Sequence, residues 1–202
     1  MNLLDFIFPK KCLECGIFGK YICDDCLSQV KTLLPAKDVY SVFKYEGVIR
    51  KAIMSLKYKF AYDIAEELAE ITIQKIKNYD LRIKNIILVP IPLHKLRQNW
   101  RGFNQAELIG EKVANGMGWK FVPDFLIRIK NTSQQVGQKR PDRIKNLSDV
   151  FRINVPHSLS QSQVSILVFD DVYTTGTTIN EAVKVLKAAG FNNIKSLTIA
   201  RG

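Results

Sequence analysis

Asp170-Asp171-Val172-Tyr173-Thr174-Thr175-Gly176-Thr177-Thr178 sets two carboxylates and four threonine hydroxyls around one glycine. Hydroxyls, backbone N–H groups and a glycine that allows close approach are what an anion the size of a phosphate needs. The two aspartates would repel a phosphate they touched, so they must serve something beside it. Carboxylates accept hydrogen bonds from hydroxyls and hold hard cations. A ligand with a phosphate at one end and a diol at the other, accompanied by Mg²⁺, satisfies both halves, and a ribose 5-phosphate has that shape. Val172 to Thr178 are therefore the expected phosphate cradle, and Asp170 and Asp171 the expected reactive-end carboxylates.

Such a cradle works only where the chain delivers it. Ser165 to Phe169 is an apolar run of strand length, as a parallel strand covered on both faces requires. Ile179, Ala182, Val183, Leu186 and Ala189 then recur at helical spacing, with Gly190 placed to end the helix in positive φ. The loop thus joins a strand's carboxyl end to a helix's amino end, where unpaired N–H groups favour an anion. A second such unit runs from Ile86 through Pro92, with a basic loop over Leu93 to Phe103 and a helix carrying Ala106, Ile109, Val113 and Met117. In an open α/β sheet both loops share one rim. Lys95, Arg97 and Arg101 then face a pyrophosphate, and His94 either joins them or is a satisfied polar residue of the loop. A strand at Val39 to Tyr45, helices over Val48 to Leu56 and Ile64 to Thr72, and a final strand at Asn193 to Ala200 complete the domain. Glu66, Glu67 and Glu70 are expected in solvent, and Lys57 and Lys59 read as ordinary lysines flanking core aromatics, the alternative being that Lys57 to Phe60 contacts phosphate or bases. Asn131 to Asn146 is polar and aperiodic, with Lys139, Arg140 and Arg143. It reads either as a mobile loop that closes over the substrate or as a solvated connection.

Cys12, Cys15, Cys23 and Cys26 form two C-x-x-C pairs, a spacing at which four sulfurs converge on one tetrahedral ion. Structural zinc is the natural occupant. An iron–sulfur cluster, a redox pair and four reduced thiols remain open as alternatives. Residues 1–35 are read as this module, with a short helix over Leu27 to Leu34, and residues 36–202 as the α/β domain.

The chain has 202 residues, 47% of them hydrophobic, which excludes wholesale disorder. Its formal charge of +11 suits polyanionic partners, either a pyrophosphorylated sugar or nucleic acid. The first ten residues, with Asp5 and Pro9, lack the basic start and long apolar run of a signal peptide, and no stretch reaches membrane-spanning length. A cytoplasmic protein with no membrane insertion is expected.

The run Asp170 to Thr178 after an apolar strand resembles the phosphoribosyl pyrophosphate signature of type I phosphoribosyltransferases, with Tyr173 standing where many relatives carry a smaller aliphatic residue. Val89-Pro90-Ile91-Pro92-Leu93-His94, Arg101-Gly102-Phe103-Asn104-Gln105-Ala106-Glu107, Gln135, Arg143 to Asn146 and Phe151 are similar, more narrowly, to the ComF family of bacterial competence proteins. This resemblance implies the type I phosphoribosyltransferase fold, a mostly parallel twisted sheet flanked by helices, behind a cysteine-rich zinc module. It further implies that Asp170 and Asp171 address the ribose hydroxyls and that Mg²⁺ accompanies phosphoribosyl pyrophosphate. The activity implied is phosphoribosyl transfer in DNA uptake or nucleotide salvage. The alternative is a non-catalytic accessory that binds single-stranded DNA beside a competence helicase.

Overall fold

The computed structural model describes residues 9–36, 38–59, 62–77, 79, 81, 84–93, 95–129, 150–154 and 164–202. Five strands form one parallel sheet: β1 (Val39–Lys44), β2 (Ile86–Pro90), β3 (Lys120–Phe121), β6 (Ser165–Tyr173) and β7 (Ile194–Arg201), in the spatial order β1-β7-β6-β2-β3. β4 (Leu126–Arg128) and β5 (Phe151–Ile153) pair separately as an antiparallel ribbon. The parallel sheet flanked by helices that the apolar runs predict is therefore present.

Three layers follow from where the apolar stripes point. On one face α2 (Gly47–Lys59), α3 (Ile64–Ile76) and α5 (Gln105–Met117) bury Ile49, Ile53, Leu56, Leu68, Ile109 and Val113 against Leu88, Leu167, Phe169 and Leu197. On the other, α6 (Thr177–Ala188), the ribbon and the short turn before it (Pro123–Phe125) bury Ile179, Leu186, Phe125 and Phe151 against Val89, Ile166 and Val168. Alternate residues of β6 thus enter different cores, as the strand's period of two demands. A Cβ on Gly110 of α5 would lie 3.0 Å from Phe169 and 3.1 Å from Leu88, so this glycine lets the helix settle on the sheet. Gly190 takes φ +90° after α6, as its place in the sequence implies.

Three local expectations change. The helix expected over Leu27 to Leu34 is only α1 (Asp24–Ser28). Beyond it the chain runs extended beside β1, through bridges Thr32 to Phe43 and Ala36 to Val39, because backbone groups there find strand partners. The basic loop after β2 is largely helical, as α4 (Lys95–Arg101). β6 runs to Tyr173 rather than stopping at Phe169, so Asp170 and Asp171 lie within the strand.

The cysteine module shares the first core through Cys12, Ile22, Cys26 and Val30. Glu67, expected in solvent, instead accepts the N–H groups of Tyr21 at 3.1 Å and Ile22 at 2.9 Å, and Lys51 pairs with Glu14 at 2.9 Å. Glu67 flanks the stripe residue Leu68, which aims it at the module. Glu67→Ala leaves two half-buried N–H groups without their acceptor and should cost about 1–3 kcal/mol of stability in urea denaturation, with Glu67→Gln losing less.

Candidate functional site

At the carboxyl end of β6 the chain passes through Thr174 and Thr175 to Gly176, the N-cap of α6, at φ 73° and without any side-chain cap. The first N–H groups of α6 therefore have no capping side chain, and the helix dipole adds positive potential there. A small cavity of about 30 Å³ lies in this turn, lined by Asp170, Val172 to Thr178 and Ile179. Thr175 and Thr177 hydroxyls lie 2.7 Å apart across it. A Cβ on Gly176 would overlap the Tyr173 phenol, so glycine is required by the ring as well as by φ. Arg201, in register with Tyr173 on β7, stacks its guanidinium 5.1 Å from the Tyr173 ring centre. A hollow of about 400 Å³ lies between module and α2, lined by Leu13, Lys51, Met54, Ser55 and Tyr58. Its single charged group, Lys51, is already paired with Glu14, so chemistry favours the smaller cavity.

The acidic doublet is divided by the pleat. Asp170 is half-buried and lines the cradle. Its Oδ1 accepts the Asp171 N–H at 2.8 Å. Asp171 is 4% exposed and points to the helical face, where its Oδ2 meets the Lys57 ammonium of α2 at 2.6 Å. Burial, then the charge of Asp171, raises the Asp170 carboxyl from its ordinary 3.8 to about 7, against the lowering pull of the Lys57 and Arg128 cations. Burial alone would lower the Lys57 pKa, but the facing Asp171 carboxylate outweighs it and the ammonium's pKa is raised.

Lys57 was missed by sequence reasoning although one signal was available. It lies four residues after Ile53 and one after Leu56, at the margin of the buried stripe of α2. Arg128, on the ribbon, carried no such mark.

The basic residues after β2 divide differently. His94 lies outside the described residues, as do Lys139, Arg140 and Arg143. Lys95 and Arg97 belong to α4. Arg101 is 7% exposed, donates to Gln105 at 3.0 Å and stacks 5.1 Å from the Tyr58 ring centre. Asn104 caps α5 by accepting the Ala106 N–H at 3.1 Å and donates to the Ile91 carbonyl at 3.0 Å, fastening the end of β2 to that helix.

Cys12, Cys15, Cys23 and Cys26 place their sulfurs within 4.8 Å of one another, a set that could hold a metal ion. Two turns build it. Gly16 and Gly19, with positive φ, close the first pair, and Cys23 caps α1 while its sulfur accepts the Cys26 N–H at 3.4 Å. Burial raises the Cys12 thiol, but N–H groups of Cys15, Cys23 and Glu14 outweigh it and bring the pKa down to about 6. Burial raises that of Cys26. No helix among the described residues is long and apolar enough to cross a membrane.

The sheet, the uncapped α6 terminus and the four-thiol cluster define a parallel α/β protein with a small threonine-lined cavity at its rim and a metal-competent module at its start. No family model matches the chain. It is 30% identical to Competence protein ComFC of Streptococcus pneumoniae over 99% of this chain and 79% of that protein. It is 29% identical to Competence protein F of Haemophilus influenzae over 96% and 85%. It is 25% identical to DNA utilization protein YhgH of Salmonella typhimurium over 94% and 83%. The chain belongs to the ComF family. Among solved structures, the adenine phosphoribosyl transferase of Trypanosoma brucei aligns over 86% of both chains at 13% identity and TM-score 0.44. A hypoxanthine phosphoribosyltransferase of Staphylococcus aureus aligns over 70% and 65% at 14% identity and TM-score 0.41.

The raised Asp170 carboxyl fixes a pH dependence. Between about pH 4 and about pH 7 the native state holds a proton there that the unfolded chain has released, so this contribution to stability is complete below that window and lost as pH rises through it. Urea midpoints measured across the window should fall with rising pH, and Asp170→Asn should flatten the slope.

Proposed function

We propose that this chain binds a ribose 5-phosphate compound, phosphoribosyl pyrophosphate above all, at the carboxyl end of β6, and that it serves DNA handling in competence. The observation that carries the reading is the α6 terminus behind Gly176, left without a side-chain cap and ringed by threonine hydroxyls, with the half-buried Asp170 at its edge. The relatives, named as competence and DNA utilization proteins, support the setting. The 5-phosphate takes the N–H groups and hydroxyls, and Asp170 accepts from the sugar diol. Displacement at the anomeric carbon through an oxocarbenium-like state needs no protein nucleophile. Orientation of the sugar and stabilisation of the departing pyrophosphate suffice. Mg²⁺ supplies positive charge to that pyrophosphate when bound, and Asp170 is the carboxylate of the doublet not engaged by a lysine.

A second reading, retention of single-stranded DNA, is favoured by Tyr58 and Trp100, which are 49% and 62% exposed with ring centres 6.2 Å apart. Exposed aromatics on a basic protein offer stacking platforms for bases. One pair of titrations separates the two. In calorimetry at about pH 8.5, where the Asp170 carboxyl is ionised, Asp170→Asn should weaken ribose 5-phosphate and phosphoribosyl pyrophosphate by about tenfold or more, the loss of a charge-assisted hydrogen bond. Its affinity for single-stranded DNA should not change. Unaltered sugar-phosphate affinity in that variant removes the assignment.

The four thiols are read as structural zinc. Tetrahedral Zn–S bonds of about 2.3 Å put sulfurs roughly 3.8 Å apart, a spacing the cluster accommodates. Metal analysis should find about one zinc per chain, and Cys12→Ala or chelation should remove it and lower the melting temperature, because binding energy here is folding energy.

A further inference from the structure

We propose that Arg101 is the phosphate-binding residue of a nucleotide subsite on the helical side of the rim, with Tyr58 and Trp100 as the faces on which the adjoining base stacks. The inference rests on the single-stranded DNA reading above and deepens it by naming the cation that meets the strand's phosphate.

Arg101 ends α4 and is 7% exposed. Its Nη1 donates to Gln105 Oε1 at 3.0 Å, yet its Nε is buried without an acceptor. Among the described residues no carboxylate pairs with it. A guanidinium cannot shed its charge, so burying one without a counter-charge is costly unless an anion arrives to supply it. The fold offers only the Gln105 amide and the Tyr58 ring, whose centre lies 5.1 Å from the guanidinium carbon. Neither is an anion. A guanidinium edge matches two phosphate oxygens, and the Nε edge of Arg101 is the one without an acceptor.

The surroundings favour a nucleotide over a bare anion. Tyr58, which covers the guanidinium, is 49% exposed, so the arginine lies one ring beneath the surface. Trp100 is 62% exposed, its ring centre 6.2 Å from that of Tyr58 and the two planes at 59°. Beyond Gly102, Tyr62 is 47% exposed and 4.8 Å from the Phe103 ring, which extends the row of aromatic faces. A simple anion makes no use of such faces, whereas every base has one to stack. Asn104 donates to the Ile91 carbonyl, and the Ile91 N–H donates to the Phe169 carbonyl at 2.8 Å, so the subsite is tied to the ends of β2 and β6.

Fluorescence anisotropy with a thymidine oligonucleotide of about 16 residues, on the full chain and across a salt series, separates the two roles. Arg101→Gln keeps an amide beside Gln105 and removes the charge. The slope of log affinity against log salt should shrink by about 0.7, the share of one phosphate of a single strand. Trp100→Ala, a surface change, should lose about tenfold in affinity with the slope unaltered, because a base face releases no counterions. An arginine that only supports the fold would lower the melting temperature of Arg101→Gln and leave the slope as it was, and that result overturns the proposal. Should Arg101→Gln not fold, Arg101→Lys takes its place: the slope should hold while affinity drops, since an ammonium cannot grip two oxygens in one plane. Wild-type affinity in a folded Arg101→Lys, or in Trp100→Ala, also overturns it. Inorganic pyrophosphate titrated by calorimetry is the remaining arm. If Arg101→Gln weakens pyrophosphate and not the oligonucleotide, the arginine serves that anion and the nucleotide subsite falls. A wild-type chain that does not retain the oligonucleotide removes the DNA reading itself, whereas retention by wild type and by every variant alike rejects the subsite alone.

Discussion

β6 is hydrogen-bonded to β2 and β7 along its two edges and covered on both faces, so its first five residues are all buried. A strand so enclosed can carry charge only where something meets it, because an unpaired buried ion costs several kcal/mol. Asp171 enters the first core and meets Lys57, while Asp170 turns to the cradle and gains proton affinity. The pleat of one strand thus decides which carboxylate is structural and which is presented at the rim. The surrounding elements conform to this. α2 must run close enough to deliver its lysine, and α5 must leave room for Phe169, which Gly110 allows.

The N-terminal module bears on the same helix. Lys51 of α2 reaches Glu14 in the first cysteine turn, and six residues later Lys57 reaches β6. Glu67 of α3 holds the two N–H groups just before the second cysteine pair. The module is therefore held by side chains of α2 and α3 as well as by shared apolar contacts. Its four thiols are ordered by turns whose backbone N–H groups point at sulfur, so the cluster and the helices support each other without a large local core.

What the sequence made legible was periodic or closely spaced. The strand, loop and helix around Gly176 announce themselves by an unbroken apolar run followed by a stripe of period 3.6, and the cysteine pairs by their two-residue gaps. α4 escaped notice because seven residues of mixed polarity show no stripe. The strap after α1 was read as helix because Leu27, Val30 and Leu34 fit that spacing. Leu34 proves 90% exposed, its neighbours' backbone groups being claimed by β1. Lys57 and Glu67 were misjudged for a different reason: their partners are far away in the chain, and a charged residue beside an apolar stripe looks the same whether it meets water or a buried counter-charge. Only the third dimension distinguishes them.

That distinction changes how the rim treats an anion. From the sequence, two aspartates beside a phosphate cradle pose a repulsion that needs a cation to relieve it. In the fold one aspartate is already neutralised by a lysine, and the other holds its proton to about pH 7. The cations near the cradle, Arg201 behind Tyr173 and the positive end of α6, are then opposed by much less negative charge than the sequence implies. The Tyr173 ring, backed by Arg201 and close against Gly176, forms one wall of the cradle. The room beside Gly176 is therefore set by an aromatic side chain as well as by the acidity of the doublet.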